Sequence, residues 1–236
     1  MSMAAKRQAV LVFSSAAVLD RARRGWPRAF GQLLECNDLL SWTNLGFDVH
    51  VFSSPGFGVI PEAPLNIHYQ EGSSFGERLD NAVQTLTDLG YSKVVVVGSD
   101  CPDLELEDIQ LAFSALEHHR LVLGPDHRGG CYLIGFDTSE RHLLHGIRWQ
   151  QNSDCAELLR RSGSKRAFVL AVKQDLDTIA DIELLASSTS RWRDLASCLL
   201  GALASFFATS RPAQIHSRLR YLRIHWQIPP PLFQEA

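Results

Sequence analysis

The chain has 236 residues, 45% of them hydrophobic and 21% charged, with a formal net charge of −3. That is an ordinary soluble globular composition, with enough length for one large domain and a sizeable core. The overall charge excludes a general case for nucleic-acid binding, although residues 190–236 carry six Arg against Asp194 and Glu235, a net +4 that leaves −7 elsewhere.

Taken in order, Ala9 to Phe13 is a short apolar strand. Pro27 to Leu45 has helical spacing (Phe30, Leu33, Leu34, Leu40, Leu45) and stops at Gly46. Phe47 to Phe52 alternates as a second strand, Ser53 to Pro64 is a Gly- and Pro-rich loop, and Ile67 to Tyr69 is a short strand. Phe75 to Leu89 repeats helically at Leu79, Ala82, Val83, Leu86 and Leu89 and ends at Gly90. Val94 to Val97 is a continuous β-branched run suited to burial on both faces.

Leu104 to His118 is the next helix, with Glu105, Glu107 and Asp108 complementing its dipole. Leu121 to Leu123 is a strand closed by Gly124-Pro125, and Cys131 to Phe136 is another. Ser153 to Arg161 is a helix before Gly163. Ala167 to Val172 is a strand and Thr178 to Ala186 a helix. Strands alternating with helices predict a mostly parallel sheet covered on both faces.

The Ser187-Ser188-Thr189-Ser190 run marks a boundary. We expect one domain over 1–188 and a C-terminal extension over 189–236. In the extension, Arg191 to Ala208 has a broad apolar helical face, read as a homodimer interface or as packing on outer helices. The basic aromatic stretch Ile215 to Trp226 reads as a snorkelling amphipathic strand or helix, or as a segment that touches nucleic acid or anionic lipid by charge.

The five cysteines (Cys36, Cys101, Cys131, Cys155, Cys198) are odd in number and contain no Cys-x-x-Cys. They fit neither a disulfide framework nor a zinc site, and a reducing cytoplasm suits them best. Val10 to Phe13 is too short for a signal peptide's apolar region. Leu195 to Ser210 is shorter than the ~20 residues of a spanning helix, so no membrane span is expected.

Val97-Gly98-Ser99-Asp100-Cys101-Pro102-Asp103 carries the most chemistry. Asp100 lies at the carboxyl end of a buried strand, where open α/β sheets bind ligands. A carboxylate there is a hard ligand for Mg²⁺ or Mn²⁺, or a turn cap. Gly129-Gly130 precedes the strand at Cys131 and lets a backbone approach a ligand, or simply turns. Asp175-Leu176-Asp177-Thr178 follows a strand and offers a second metal ligand, or a helix cap. Arg78 opens a helix after Phe75-Gly76-Glu77. His142, His145 and His127 lack a third ligand placed with them and read as surface residues, while Cys101 reads as packing.

In this order, the Ser-Asp-Cys-Pro segment, Gly124-Pro125 followed by Gly129-Gly130-Cys131-Tyr132-Leu133-Ile134-Gly135, Gly146-Ile147-Arg148-Trp149 and Asp175-Leu176-Asp177-Thr178 resemble the DUF2064 type of bacterial glycosyltransferase-A-like proteins. The resemblance covers about residues 8–186. It implies a Rossmann-like three-layer sandwich of the nucleotide-diphospho-sugar transferase type. It also implies a glycosyl- or nucleotidyl-transferase that takes a nucleotide or nucleotide sugar with Mg²⁺ or Mn²⁺. Asp100 matches the family's metal-site Asp, and Asp177 the later Asp of its Asp-x-Asp-Thr motif.

Three departures accompany the match. The family's Lys-Thr-Arg phosphate loop is missing from residues 14–31, where Arg21, Arg23, Arg24 and Arg28 supply phosphate-binding charge or form a solvated surface. Arg128-Gly129-Gly130-Cys131-Tyr132 replaces Asp-Gly-Gly-Tyr-Tyr, and Trp149-Gln150-Gln151 replaces Trp-Ser-Thr. We therefore expect a metal at Asp100 and Asp177, phosphates on Arg23, Arg24 and Arg78, and sugar or acceptor at Gly129 and Gly130. The alternative is a catalytically degenerate binding or assembly protein.

Overall fold

The computed structural model describes residues 7–14, 43, 46–53, 65–98, 100–163, 166–176, 179–188, 192–194, 196–198, 200–201 and 204. Almost all of the predicted helix over 27–45, half of the 191–208 helix and the whole 215–226 stretch lie outside these residues. Those up to Asp175 form one compact unit, and those from Leu176 belong to a second.

The first unit is a seven-stranded sheet. Its strands are β1 (Gln8–Ser14), β2 (Asp48–Ser53), β3 (Asn66–Tyr69), β4 (Lys93–Gly98), β5 (Leu121–Pro125), β6 (Cys131–Asp137) and β7 (Ala167–Val169). They lie in the order β3-β2-β1-β4-β6-β5-β7. Every pairing is parallel except those of β6, which runs antiparallel to β4 and β5. The expected mostly parallel α/β sheet is therefore present.

Side chains alternate across it, as period-two geometry demands. Val94 and Val96 of β4 face one core with Leu11 and Leu123; Val95 and Val97 face the other with Val12 and Val122. Helix α1 (Phe75–Asp88) buries Leu79, Val83 and Leu86 on the first face, joined by Leu158 of α3 (Asp154–Ser162). Helix α2 (Leu106–Ala115) buries Ile109, Ala112 and Phe113 on the second. Cover on both faces explains why β4 is a valine run rather than an alternating strand.

Two of the boundaries that shift have a clear local cause. The helix expected from Leu104 begins at Leu106, because the backbone N–H of Glu105 is already taken by the Asp108 carboxylate (2.8 Å) in an N-terminal cap. The strand expected over Ala167–Val172 ends at Val169, which pairs with Leu123 of β5. Beyond it the chain keeps only single contacts with β5, Leu170 N–H to Leu123 O (2.8 Å) and Lys173 N–H to Pro125 O (3.1 Å). A 3-10 helix over Thr138–Leu144, absent from the sequence reading, starts where the Asp137 carboxylate accepts the Ser139 N–H (3.1 Å).

β6 contains an irregularity that matters for the site. Leu133 pairs with Gly124 and Cys131 with Pro125, so Tyr132 is an extra residue, a bulge. Its ring lies over Gly124, where a Cβ would come within 2.4 Å of it, and its hydroxyl donates to Ala171 O (3.0 Å). Gly124 is small so that Tyr132 can lie flat.

In the second unit, α4 (Ile179–Ser187) buries Ile182 and Leu185 and is finished by hydroxyl bonds from Ser187 to Leu184 O and Ser188 to Leu185 O. Among the described residues, no helix is long and apolar enough to cross a membrane.

Candidate functional site

Strand direction brings the candidate residues of the first unit to one edge. The parallel strands β1, β2, β3 and β4 all end there. Because β6 is antiparallel, with Val97 opposite Leu133, the chain enters β6 at that same edge. The Gly129-Gly130 turn therefore lies beside the end of β4, which carries Asp100. Strand β7 also ends at this edge and leads into Lys173 and Asp175.

Asp100 is half-buried. A Cβ on Gly98 would be 2.4 Å from its Oδ1, so the carboxylate folds back over a bare backbone. Cys101 is sealed in the second core cluster. Burial pushes its thiol well up, and the charges of Asp175, Asp100 and Asp103 add to that, which rules it out as a nucleophile.

Lys173, which no sequence motif flagged, spans this region. Its ammonium donates to Asp103 O (2.6 Å) and to Asp108 Oδ2 (2.5 Å). Asp108 Oδ2 also accepts the Glu105 N–H. One buried cation thus ties the segment carrying Asp175 to the β4–α2 connection.

The Gly-Gly turn is held by its own carboxylate. Asp126 Oδ1 accepts the N–H groups of Arg128 (2.6 Å) and Gly130 (2.9 Å). Asp126 Oδ2 fills the space that a Cβ on Gly130 would need, at 2.3 Å. Gly129 has φ +98° and lies against Asn152 O, which a Cβ would approach to 2.4 Å. Both glycines thus have a local reason to be glycine.

The loop after Trp149 packs on that turn. Trp149 stacks obliquely on Phe75 (5.6 Å) and presses on Gly76 in the first turn of α1. Gln150 and Asn152 both take left-handed backbone angles (φ 63° and 56°), unusual for residues with a Cβ, the glutamine especially. Gln150 N–H donates to Asp154 Oδ2 (3.0 Å). Asp154 is buried, and its Oδ1 has no hydrogen-bond partner among the described residues. Burial raises its pKa, and the nearby Asp126 charge adds to the rise. The sequence reading missed Asp154 because it resembled a helix-start residue.

Arg78 is half-buried in the first turn of α1, on a helix capped by Ser74 and Glu77. Ser74 Oγ accepts the Glu77 N–H (3.2 Å), and the Glu77 carboxylate accepts the Ser73 N–H (2.8 Å). That helix follows β3, so its positive end is near the same edge. Arg23, Arg24 and Asp177 lie outside the described residues. The histidines separate: His145 pairs with Asp80 (2.9 Å), His142 lies 3.9 Å from Glu140, and His127 is exposed.

Among the described residues, no three His, Cys, Asp or Glu side chains converge to hold a metal ion. Mg²⁺ and Mn²⁺ do not need such a cage when phosphates and water complete the shell around one or two carboxylates. Asp100 fits that mode and does not fit an all-protein site.

Residues 55–151 match the family described as "Uncharacterized protein conserved in bacteria (DUF2064)". The resemblance carried by the motifs is thus upheld. Among solved structures, the chain is similar to a Desulfovibrio desulfuricans protein provisionally assigned as a nucleotide-diphospho-sugar transferase. The two are 27% identical with a TM-score of 0.67, over 85% of this chain and 96% of that one. A cytidylyltransferase from Leptospira borgpetersenii shares the fold at 12% identity and TM-score 0.53, over 86% and 96% of the two chains. So does a Mycobacterium tuberculosis protein in complex with manganese, at 14% identity and TM-score 0.53, over 76% and 98%. A search of curated proteins finds no match.

Proposed function

We propose that this chain is a transferase, glycosyl or nucleotidyl, that uses a nucleotide-activated donor with Mg²⁺ or Mn²⁺ at Asp100. One observation carries the reading: the end of β4, the turn before β6, the Trp149 loop and the Lys173 segment meet at one sheet edge. This is the edge where open α/β sheets take ligands. The relatives assigned as a nucleotide-sugar transferase and a cytidylyltransferase, and the manganese complex, support it by shared fold.

Arg78, with Arg23 and Arg24, would contact donor phosphates. Asp177 is a second metal ligand by resemblance alone. Gly129 and Gly130 shape the turn against which the sugar or acceptor would lie. When bound, the ion would neutralise pyrophosphate charge as a Lewis acid. The protein's own share is to hold Asp100 over Gly98 and to fix the surrounding loops.

A second reading is a binding protein that has lost catalysis. Arg128, in place of the family's Asp before Gly129-Gly130, favours it. Calorimetric titration with nucleoside triphosphates and nucleotide sugars, with and without Mn²⁺, separates the readings. The transferase reading expects metal-dependent binding that Asp100→Ala abolishes, and no binding across the panel would sink it. Metal-dependent binding without product formation from any donor–acceptor mixture would favour the second.

A further inference from the structure

We propose that Gln70 is a positioning residue that fixes the start of α1, and with it Arg78, against the ends of β1 and β2. The inference rests on the transferase reading for what Arg78 would bind. Gln70 directly follows β3, and its backbone N–H carries the ladder one step further, to Ser53 O (2.8 Å). Its side-chain amide reaches past that ladder. Nε2 donates to Phe52 O (3.0 Å) on the neighbouring β2 and to Ser14 O (2.8 Å) on β1, one strand beyond. Neighbouring strands lie about 4.8 Å apart, so one residue ties together chain ends roughly 10 Å apart. Both hydrogens of the amide are used, and no charge is brought to the sheet edge. A glutamate here would offer only acceptors to two carbonyl oxygens.

The other end of the link is Arg78. Two residues after Gln70, Gly72 takes φ +133° and lies against the first turn of α1, where a Cβ would come within 2.9 Å of Arg78 N. The Arg78 N–H donates to Ser74 O (3.0 Å), which closes that turn. Between the two ends, Glu71 O accepts from Asn81 Nδ2 (2.9 Å). Phe75 packs edge-on against Phe13 (5.2 Å), the residue before Ser14. The segment from Gln70 to Arg78 is thus held as one piece, and Gln70 bonds it to the carboxyl ends of two other strands. Gln70 acts on a bound phosphate only through Arg78, by setting where the first turn of α1 stands at the ligand edge.

The test is a double-mutant cycle on the full chain, read by calorimetric titration with Mn²⁺ and a nucleoside triphosphate or nucleotide sugar. Gln70→Met keeps the length and loses both hydrogens, and should weaken binding at least ~10-fold. In an Arg78→Ala background the same change should cost less than ~2-fold, because its route to the ligand is gone. Gln70→Glu should bind poorly at pH 8 and recover towards the wild type at pH 5.5, where a protonated acid again donates one hydrogen bond. Equal costs of Gln70→Met in both backgrounds would overturn the proposal, as would a Gln70→Glu deficit that is the same at both pH values. Failure of the transferase reading shows separately, as a wild type that binds nothing in the panel. Hydrogen–deuterium exchange then decides: Gln70→Met should speed exchange of the Glu77 and Arg78 amides at least ~10-fold and leave Ala112 and Phe113 of α2 unchanged. Unchanged protection at Glu77 and Arg78 would overturn the proposal.

Discussion

Lys173 places its ammonium 2.5 Å from the Asp108 carboxylate, across 65 residues of sequence, with both side chains about 85% buried. Each charge is tolerable there only because of the other, and the Glu105 N–H and Asp103 carbonyl complete the arrangement. This pair holds the Asp175 segment against the loop that carries Asp100.

Lys173→Met should therefore strand the Asp108 charge and cost about 2–4 kcal/mol. Urea denaturation at neutral pH measures it. Adding Asp108→Leu should recover part of the loss, because the stranded charge is then gone. A single variant as stable as the wild type would remove the pair's structural role.

Asp154→Asn should behave oppositely. The carboxylate is buried with one oxygen unpartnered among the described residues and an acidic neighbour in Asp126. Removing its charge at pH 7.5 should leave the melting temperature unchanged or higher, since the amide oxygen can still accept the Gln150 N–H. A clear drop in melting temperature would show that the charge itself is stabilising.

Acid should weaken the other side of the sheet. His50 is 3% exposed, bonded through Nδ1 to His68 Nε2 (2.9 Å) and through Nε2 to the Tyr91 hydroxyl (3.1 Å). The Tyr91 hydroxyl donates to Asp48 (2.9 Å) and accepts from Arg7 (2.9 Å). Burial, and then the His68 charge, lower His50 from 6.5 to about 4, and burial lowers His68 as well. The unfolded chain takes these protons near pH 6.5 while the folded chain refuses them. The stabilisation is whole above pH 6.5 and is lost as pH falls from there to about 4. We expect a loss of roughly 2 kcal/mol between pH 7 and pH 5. His50→Phe should flatten that slope, and a slope identical to the wild type would assign it to other groups.

Gly98→Ala tests how Asp100 is placed. The new Cβ would meet a side-chain oxygen rather than backbone, so Asp100 can swing away at little cost to stability. We expect a melting temperature within a few degrees of the wild type and at least ~10-fold weaker Mn²⁺-dependent nucleotide binding. Gly124→Ala is the contrasting control. It drives a Cβ into the Tyr132 ring, which is pinned by Ala171, and should cost about 1–3 kcal/mol. Unchanged nucleotide binding in Gly98→Ala would mean that the carboxylate does not need its present position.

The motif residues were legible in unequal ways. Asp100 stood out because a valine run ended beside it, and a buried strand's end is visible in local sequence. Gly129 and Gly130 were visible as glycines, but their reasons, Asn152 O and the Asp126 carboxylate, were not. Lys173 looked like any lysine after a strand, and Asp154 like any helix-start acid.

The difference has a physical cause. Hydrophobic period, turn residues and caps act over a few neighbours, and they alone set the alternation of strands and helices, the valine-rich centre and the carboxylate at its tip. The antiparallel insertion of β6, the Tyr132 bulge and the Lys173–Asp108 clamp depend on groups tens of residues apart. Such pairs exist only once the sheet is assembled, because register and strand order decide which distant side chains share a low-dielectric interior.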